Sequence, residues 1–135
     1  MIKFLLGAFL VLHGAVHLLY FGQSWRLFQL QPGMGWPDGS WVFSRLVGDN
    51  PTRVLASVLL VVTAVGLIVA GVAVLFAQGW WKPLVVGVLA LSSILYLAMW
   101  NGKLEGLGNQ GAIGLLINLA ILLAVLGFRW PKLAF

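Results

Sequence analysis

His13 and His17 are the only histidines in the chain, and they stand four residues apart in FLVLHGAVHLLYF, residues 9–21, an otherwise apolar run. Neutral imidazole is the commonest protein metal ligand, and it also donates and accepts hydrogen bonds. The pair therefore suits three kinds of chemistry: ligating a metal-bearing cofactor, holding a polar headgroup, or bonding to other helices. HGAVH has the spacing of the zinc-protease helix, but Gly14 stands where that motif needs a glutamate. The only carboxylates, Asp38, Asp49 and Glu105, fall in loops, which argues against a hydrolytic metal site. Two rings on one face of one helix also cannot clamp opposite faces of a single haem. What remains for His13 and His17 is a single-His haem or chlorin, a partner histidine from a second copy, or a quinone or isoprenoid headgroup, with Tyr20 nearby as donor.

At 100° per residue, His13, His17, Tyr20 and Ser24 fall within about 60° of one another and form one stripe. Leu6 and Leu10 continue it toward the N-terminus, while Phe9, Leu12, Val16 and Leu19 point elsewhere. With a rise of about 1.5 Å per residue, His13 sits roughly 14 Å from Phe4, near the midplane of a membrane span, and His17 lies about 6 Å further on. A ring at that depth must be neutral or paired. Candidate partners on other spans are Ser57 and Thr63, then Ser92, Ser93 and Tyr96, then Asn118. Such interhelical hydrogen bonds contribute about 0.6 kcal/mol each. Helix-to-helix bonding is the preferred reading of the stripe, and a cofactor or headgroup contact is the alternative.

The elements that position the stripe are long apolar runs. Of 135 residues, 61% are hydrophobic and 8% charged, against about 25% charged in soluble domains. This composition predicts an all-α integral membrane protein, a four-helix bundle in a single domain over residues 1–135. Spans are expected at about 4–21, 51–77, 83–100 and 112–128, since a crossing takes about 20 residues, or about 17 with snorkelling ends. The first run has a Lys and an apolar core like a signal peptide. A cut after Ala15 would leave His13 at minus three, however, so an uncleaved span is expected. Asp49 or Asn50 reads as N-cap of the second span with Pro51 in its first turn. Gly79 reads as the C-cap that follows it, before a tight hairpin.

Residues 22–50 are too long for a simple turn. Leu27, Phe28, Leu30, Val42, Phe43, Leu46 and Val47 alternate with polar residues there, as in short amphipathic pieces lying in the interface. Trp25, Trp36 and Trp41 of this loop, with Trp80, Trp81 and Trp130 elsewhere, are expected at the headgroup level. The glycine-rich break NGKLEGLGNQG, residues 101–111, reads as a flexible hairpin. Small residues such as Gly7 with Gly14, Gly66 with Ala70, Ala73 with Ala77, Gly87, and Gly111 with Gly114 predict close helix packing.

Charge and composition close off other classes. The formal net charge is +5, but the basic residues stand singly at the ends of apolar runs, which fits anchoring to membrane lipid and not nucleic acid. Lys3, Lys82, Arg129 and Lys132 lie on one side of a four-span layout, and Arg26, Arg45, Arg53 and Lys103 on the other. Both termini are expected in the cytoplasm of a prokaryotic cell. The absence of cysteine removes disulfides, thiolate metal sites and thiol redox relays. No Asp or Glu lies within an apolar run, so a small transporter would have to couple protons through His13 or His17.

Two stretches carry a family resemblance: LHGAVHLLYF in the first span and MWNGKLEGLGNQGAIGLLINLAILL leading into the fourth. The chain resembles small four-span prokaryotic membrane proteins, loosely DoxX-like, in which a first-helix Leu-His-Gly followed by a second His recurs. The resemblance implies a four-helix fold and a structural meaning for His13, Gly14, His17 and Asn118, and it supplies no catalytic residue. The longer, Trp-rich first loop departs from that pattern and suggests a surface for a larger complex. The sequence is thus read as an accessory or assembly subunit with a membrane-protein partner or a second copy. The alternatives are the cofactor- or headgroup-binding protein and the small transporter.

Overall fold

A computed structural model describes residues 1–133 and 135. Helices α1 (Ile2–Ser24), α3 (Asp49–Leu75) and α4 (Trp81–Met99) are long and apolar enough to cross a membrane. A short helix α2 (Phe43–Val47) precedes α3, and α5 (Ala112–Leu122) runs on as a π turn over Leu123–Gly127. A 3-10 turn over Leu107–Gln110 leads into α5, and no strand occurs among the described residues. The apolar stretch Ala112–Gly127 is about 24 Å long at helical rise, shorter than the other three.

Three helix ends share one device. After α1, the Leu27 N–H reaches back to the Gly22 carbonyl (2.9 Å) and the Arg26 N–H to that of Gln23 (3.1 Å). After α3, the Gln78 N–H reaches Ala73 (2.8 Å) and the Ala77 N–H reaches Val74 (3.1 Å). After the π turn, the Trp130 N–H reaches Ala124 (2.9 Å). Such closures need a left-handed residue, usually glycine. Here Arg26 (φ 63°), Ala77 (φ 58°) and Arg129 (φ 50°) occupy it, a conformation that costs a side-chain-bearing residue roughly 1–2 kcal/mol. Gly79 is therefore not the cap expected after the second span, because the chain turns two residues earlier. At the start of α3, Gly48 (φ 84°) is the N-cap in place of Asp49 or Asn50. Asp49 falls in the first turn, its Oδ1 accepting from the Ser44 hydroxyl (2.6 Å) and the Gly39 N–H (2.9 Å). Helix α4 starts at Trp81, which puts Pro83 inside its first turn, where a missing N–H leaves no bond unmade.

α1 and α3 run antiparallel at close approach. A methyl group added at Gly14 would stand 2.8 Å from the Ala64 carbonyl oxygen, and one at Gly71 would stand 2.6 Å from that of Gly7. Gly66 instead makes room for Val88 of α4, and Gly111 and Gly114 for the ring of Tyr96. Gly87 has nothing within 4 Å and takes no part in packing.

The buried side chains form layers. At the end holding the N-terminus, Leu6, Leu10, Leu67, Val74, Trp81, Leu89 and Val125 make one apolar layer. At the other end Met34, Trp36, Ala56, Leu60, Leu95, Tyr96 and Met99 make a second. Between them lie the buried polar residues His13, His17, Thr63, Ser92 and Asn118.

The first loop departs most from expectation. Only α2 is helical in it, so the amphipathic pieces expected across residues 22–50 reduce to five residues. Trp36 is buried completely, and Trp81 nearly so, instead of lying at the interface. The reason for Trp36 is Gln23, fully buried at the end of α1. Its Nε2 donates to the Met34 carbonyl (2.9 Å) and more weakly to that of Trp36 (3.3 Å), while its Oε1 accepts from the Leu30 N–H (3.0 Å). The loop is folded back, and its Met34 and Trp36 side chains are buried in the apolar layer between the helices. Trp81, as the first residue of α4, closes the opposite apolar layer. Trp25, Trp41, Trp80 and Trp130 remain about half exposed.

The glycine contacts yield a direct test. Gly14→Val should lower the unfolding free energy in detergent micelles by about 1–3 kcal/mol, the usual cost of overpacking, whereas Gly87→Ala should leave it unchanged or slightly raised. Equal effects would show that α1 and α3 do not meet at Gly14.

Candidate functional site

The central polar layer brings together side chains from three helices. His13 and His17 come from successive turns of α1, Ser92 from α4 and Asn118 from α5. All four are buried. A carbonyl can only accept, so the 2.9 Å bond between His17 Nδ1 and the His13 carbonyl places a proton on that nitrogen. The Nε2 of a neutral His17 is then a lone pair, and the Ser92 hydroxyl donates to it at 2.8 Å. The Ser92 oxygen in turn accepts from Asn118 Nδ2 at 2.8 Å. Asn118 Oδ1 accepts from His13 Nε2–H, also at 2.8 Å. With both rings neutral, the donors run in one sense, from His13 through Asn118 and Ser92 to His17 and back to the His13 backbone.

This closed circuit is self-consistent in proton count, and it uses both nitrogens of His17. His13 keeps one nitrogen, Nδ1, with no protein partner among the described residues. The ring of Phe9 lies parallel to that of His13 (centroids 6.0 Å, 3° between planes), and the two histidine rings meet edge to face at 5.0 Å. Phe9 also lines an apolar groove of about 470 Å³ between α1 and the far half of α5, whose walls include Leu5, Leu6, Ile121, Val125 and Trp130.

The other stripe residues divide by level. Tyr20 lies edge-on to Trp36 (5.5 Å) and Tyr96 (5.4 Å), and Tyr96 leans on His17 (5.9 Å), so the aromatic rings floor the polar layer without bonding to it. Ser24 sits at the loop end, where its hydroxyl donates to the Arg53 carbonyl (3.1 Å) and accepts from Ser57 (2.9 Å). Ser93 donates to the Leu89 carbonyl of its own helix (2.8 Å), and the Thr63 hydroxyl has no partner among the described residues. Of the six expected partners on other helices, only Ser92 and Asn118 reach the histidines.

Gln23 is the residue that sequence reasoning missed. A glutamine at the end of an apolar helix reads as solvated, and nothing local signals that a loop will fold over it. Trp41 is a second. Its backbone and indole N–H groups donate to the carbonyls of Trp100 and Leu97 (2.8 Å each), and the Ser40 hydroxyl donates to that of Ala98 (2.6 Å). These donors satisfy the end of α4, whose last carbonyls have no partners within the helix. The first loop thereby caps α4 from a distance of more than fifty residues.

If the circuit holds the helices together, its members must be energetically coupled. A double-mutant cycle of His13→Ala and Asn118→Ala, read as unfolding free energy in micelles, should give a coupling of about 0.6–1.7 kcal/mol, the range for polar pairs between membrane helices. Strict additivity would remove Asn118 from the circuit.

Comparison with known proteins leaves the geometry to speak for itself: no protein-family model, no curated protein and no solved structure matches the chain.

Proposed function

We propose that this chain is a four-span membrane protein, α5 with its π turn being the fourth span, that works as an accessory or assembly subunit of a larger membrane complex. The observation that carries this reading is the closed circuit. The principal buried polar groups on three helices are spent on one another, and His17 has no nitrogen left to offer a substrate. A protein built this way acts through its surfaces. Leu27, Leu46 and Leu104, all well over half exposed, lie with Trp25 and Trp41 on the loops at one end and provide such a surface. The likeness of the first and fourth spans to DoxX-like proteins belongs to the same proposal, as does a prokaryotic cytoplasmic membrane with both termini inside. Purification in mild detergent followed by native mass analysis tests the role, and a lone monomer under every mild condition would count against it.

The layout has its own test, made simple by the absence of cysteine. Single cysteines replacing Gln29 and Lys103 should react with an impermeant maleimide from one side of the membrane, and ones replacing Gln78 and Lys132 only from the other. Labelling of Lys132→Cys from the same side as Lys103→Cys would overturn α5 as the fourth span.

A second reading is favoured by the unpartnered Nδ1 of His13 and the groove reached through Phe9. A quinone in its reduced, quinol form or an isoprenoid alcohol could lay its chain in the groove and donate its hydroxyl to that nitrogen, which the circuit leaves as a lone pair. A haem or chlorin would likewise have to use His13, because ligation by His17 would break a bond to Ser92 or to the His13 carbonyl. Tyr20 stands on the far side of His17, among Trp36 and Tyr96, so this reading rests on His13 alone. An absorption spectrum and an organic extract of the purified protein decide it. A band or an extracted lipid lost in His13→Ala supports it, and a colourless, quinone-free preparation sinks it.

A further inference from the structure

Two cavities share a wall where α1 ends and α3 begins. The first, about 290 Å³, is mixed in character and is bounded by Ser24, Trp25, Arg26, Asn50, Arg53 and Val54. The second, about 350 Å³, is apolar and continues from Trp25 and Val54 past Phe21, Val58, Val61 and Val62. Because Trp25 and Val54 line both, the two form one amphipathic site with a head that bears two guanidinium groups and an apolar groove. From Arg53 to Val62 the groove follows α3 for about 13 Å at helical rise. An indole about half exposed at the junction is what the boundary between headgroups and acyl chains favours.

We propose that this site holds a glycerophospholipid, its phosphodiester between Arg26 and Arg53 and one acyl chain along the valine face of α3. The inference rests on the reading of α1 and α3 as membrane spans. The supply of donors supports it. Arg26 pairs with Asp38 Oδ2, and Arg53 Nε lies 3.8 Å from Asp38 Oδ1. Asp49 lies within electrostatic reach of both arginines, and its Oδ1 accepts from the Ser44 hydroxyl and the Gly39 N–H. Arg53 also donates to the Asn50 side chain. Each guanidinium has five N–H donors, more than these contacts use, and both side chains are partly open to the cavity's mouth, at 39% and 25% exposure. Arginine suits a phosphate because its planar fork matches two oxygens at once. Arg26 is held there in a left-handed conformation that glycine would take without strain. The backbone bears that strain at the position from which the guanidinium reaches Asp38 and the cavity.

The test uses the whole protein in maltoside micelles. Native mass spectrometry follows titration with dioleoyl-phosphatidylglycerol, with dioleoylglycerol, which has the chains but no phosphate, and with glycerol 3-phosphate, which has the phosphate but no chains. The phospholipid should be retained at least tenfold more strongly than either part. Arg53→Gln and Arg26→Gly should each reduce its retention about tenfold, and Arg26→Gly relieves backbone strain, so its fold is safe. Arg129→Gly makes the same change at a left-handed arginine at the opposite end and should leave retention unchanged. Equal binding of dioleoylglycerol, or unaltered retention in both cavity variants, would reduce the bound lipid to ordinary annular lipid and overturn the site. Glycerol 3-phosphate binding as tightly as the lipid would overturn it in favour of a soluble phosphate. Failure of the membrane reading is separately visible, as release of the protein from alkali-washed membranes.

Discussion

A buried polar group costs free energy until it finds a partner, and in this molecule that requirement falls on four side chains at one level. His13, His17, Ser92 and Asn118 satisfy one another in a circuit that closes only when α1, α4 and α5 stand at one rotation and one height. A turn of any of these helices by one residue, about 100°, would strand a donor or a lone pair. Apolar packing alone specifies rotation less sharply, because burial of apolar surface is non-directional. The polar layer is therefore the register mark of the assembly. The apolar layers above and below are free to be generic.

The helix α3 is fixed differently. It contributes no hydrogen bond to the circuit and instead meets α1 through backbone, where Gly7 faces Gly71 and Gly14 faces the Ala64 carbonyl. Close backbone approach brings many weak contacts into range at once and leaves no space for a cofactor between these two helices. Space exists elsewhere. One groove lies between α1 and the end of α5, on the N-terminal side of the His13–Asn118 bond. The cavity beside Arg26 opens where α1 stops and α3 begins.

The ends of the helices are handled with the same economy of means. Three of them close by reaching back to carbonyls of the last turns through a left-handed residue, twice an arginine and once an alanine. The fourth, α4, lacks that closure and borrows Ser40 and Trp41 from a loop far away in sequence. Gln23 ties that same loop to α1. One loop thus serves two helices, which explains why it is long and why it carries tryptophans that differ in fate: Trp36 goes inside to fill the apolar layer, and Trp41 stays at the rim to donate a hydrogen bond.

The amino-acid sequence determines the long helices, because runs of apolar residues bounded by Gly, Pro and Asp can bury themselves in no cheaper way. It also determines the His13 and His17 face, since 100° per residue is a local property of the backbone. What tertiary structure decided is everything that depends on the rotation of one element against another. Ser92 and Asn118 are partners of the histidines while Ser57, Thr63 and Ser93 are not, although all five are small polar residues in apolar helices. The burial of Trp36 followed from Gln23, a contact between a helix end and a loop that neither segment announces alone. The left-handed Arg26, Ala77 and Arg129 were hidden for a related reason. The left-handed conformation disfavours a side-chain-bearing residue by only roughly 1–2 kcal/mol, so residue type alone does not mark where such a closure falls.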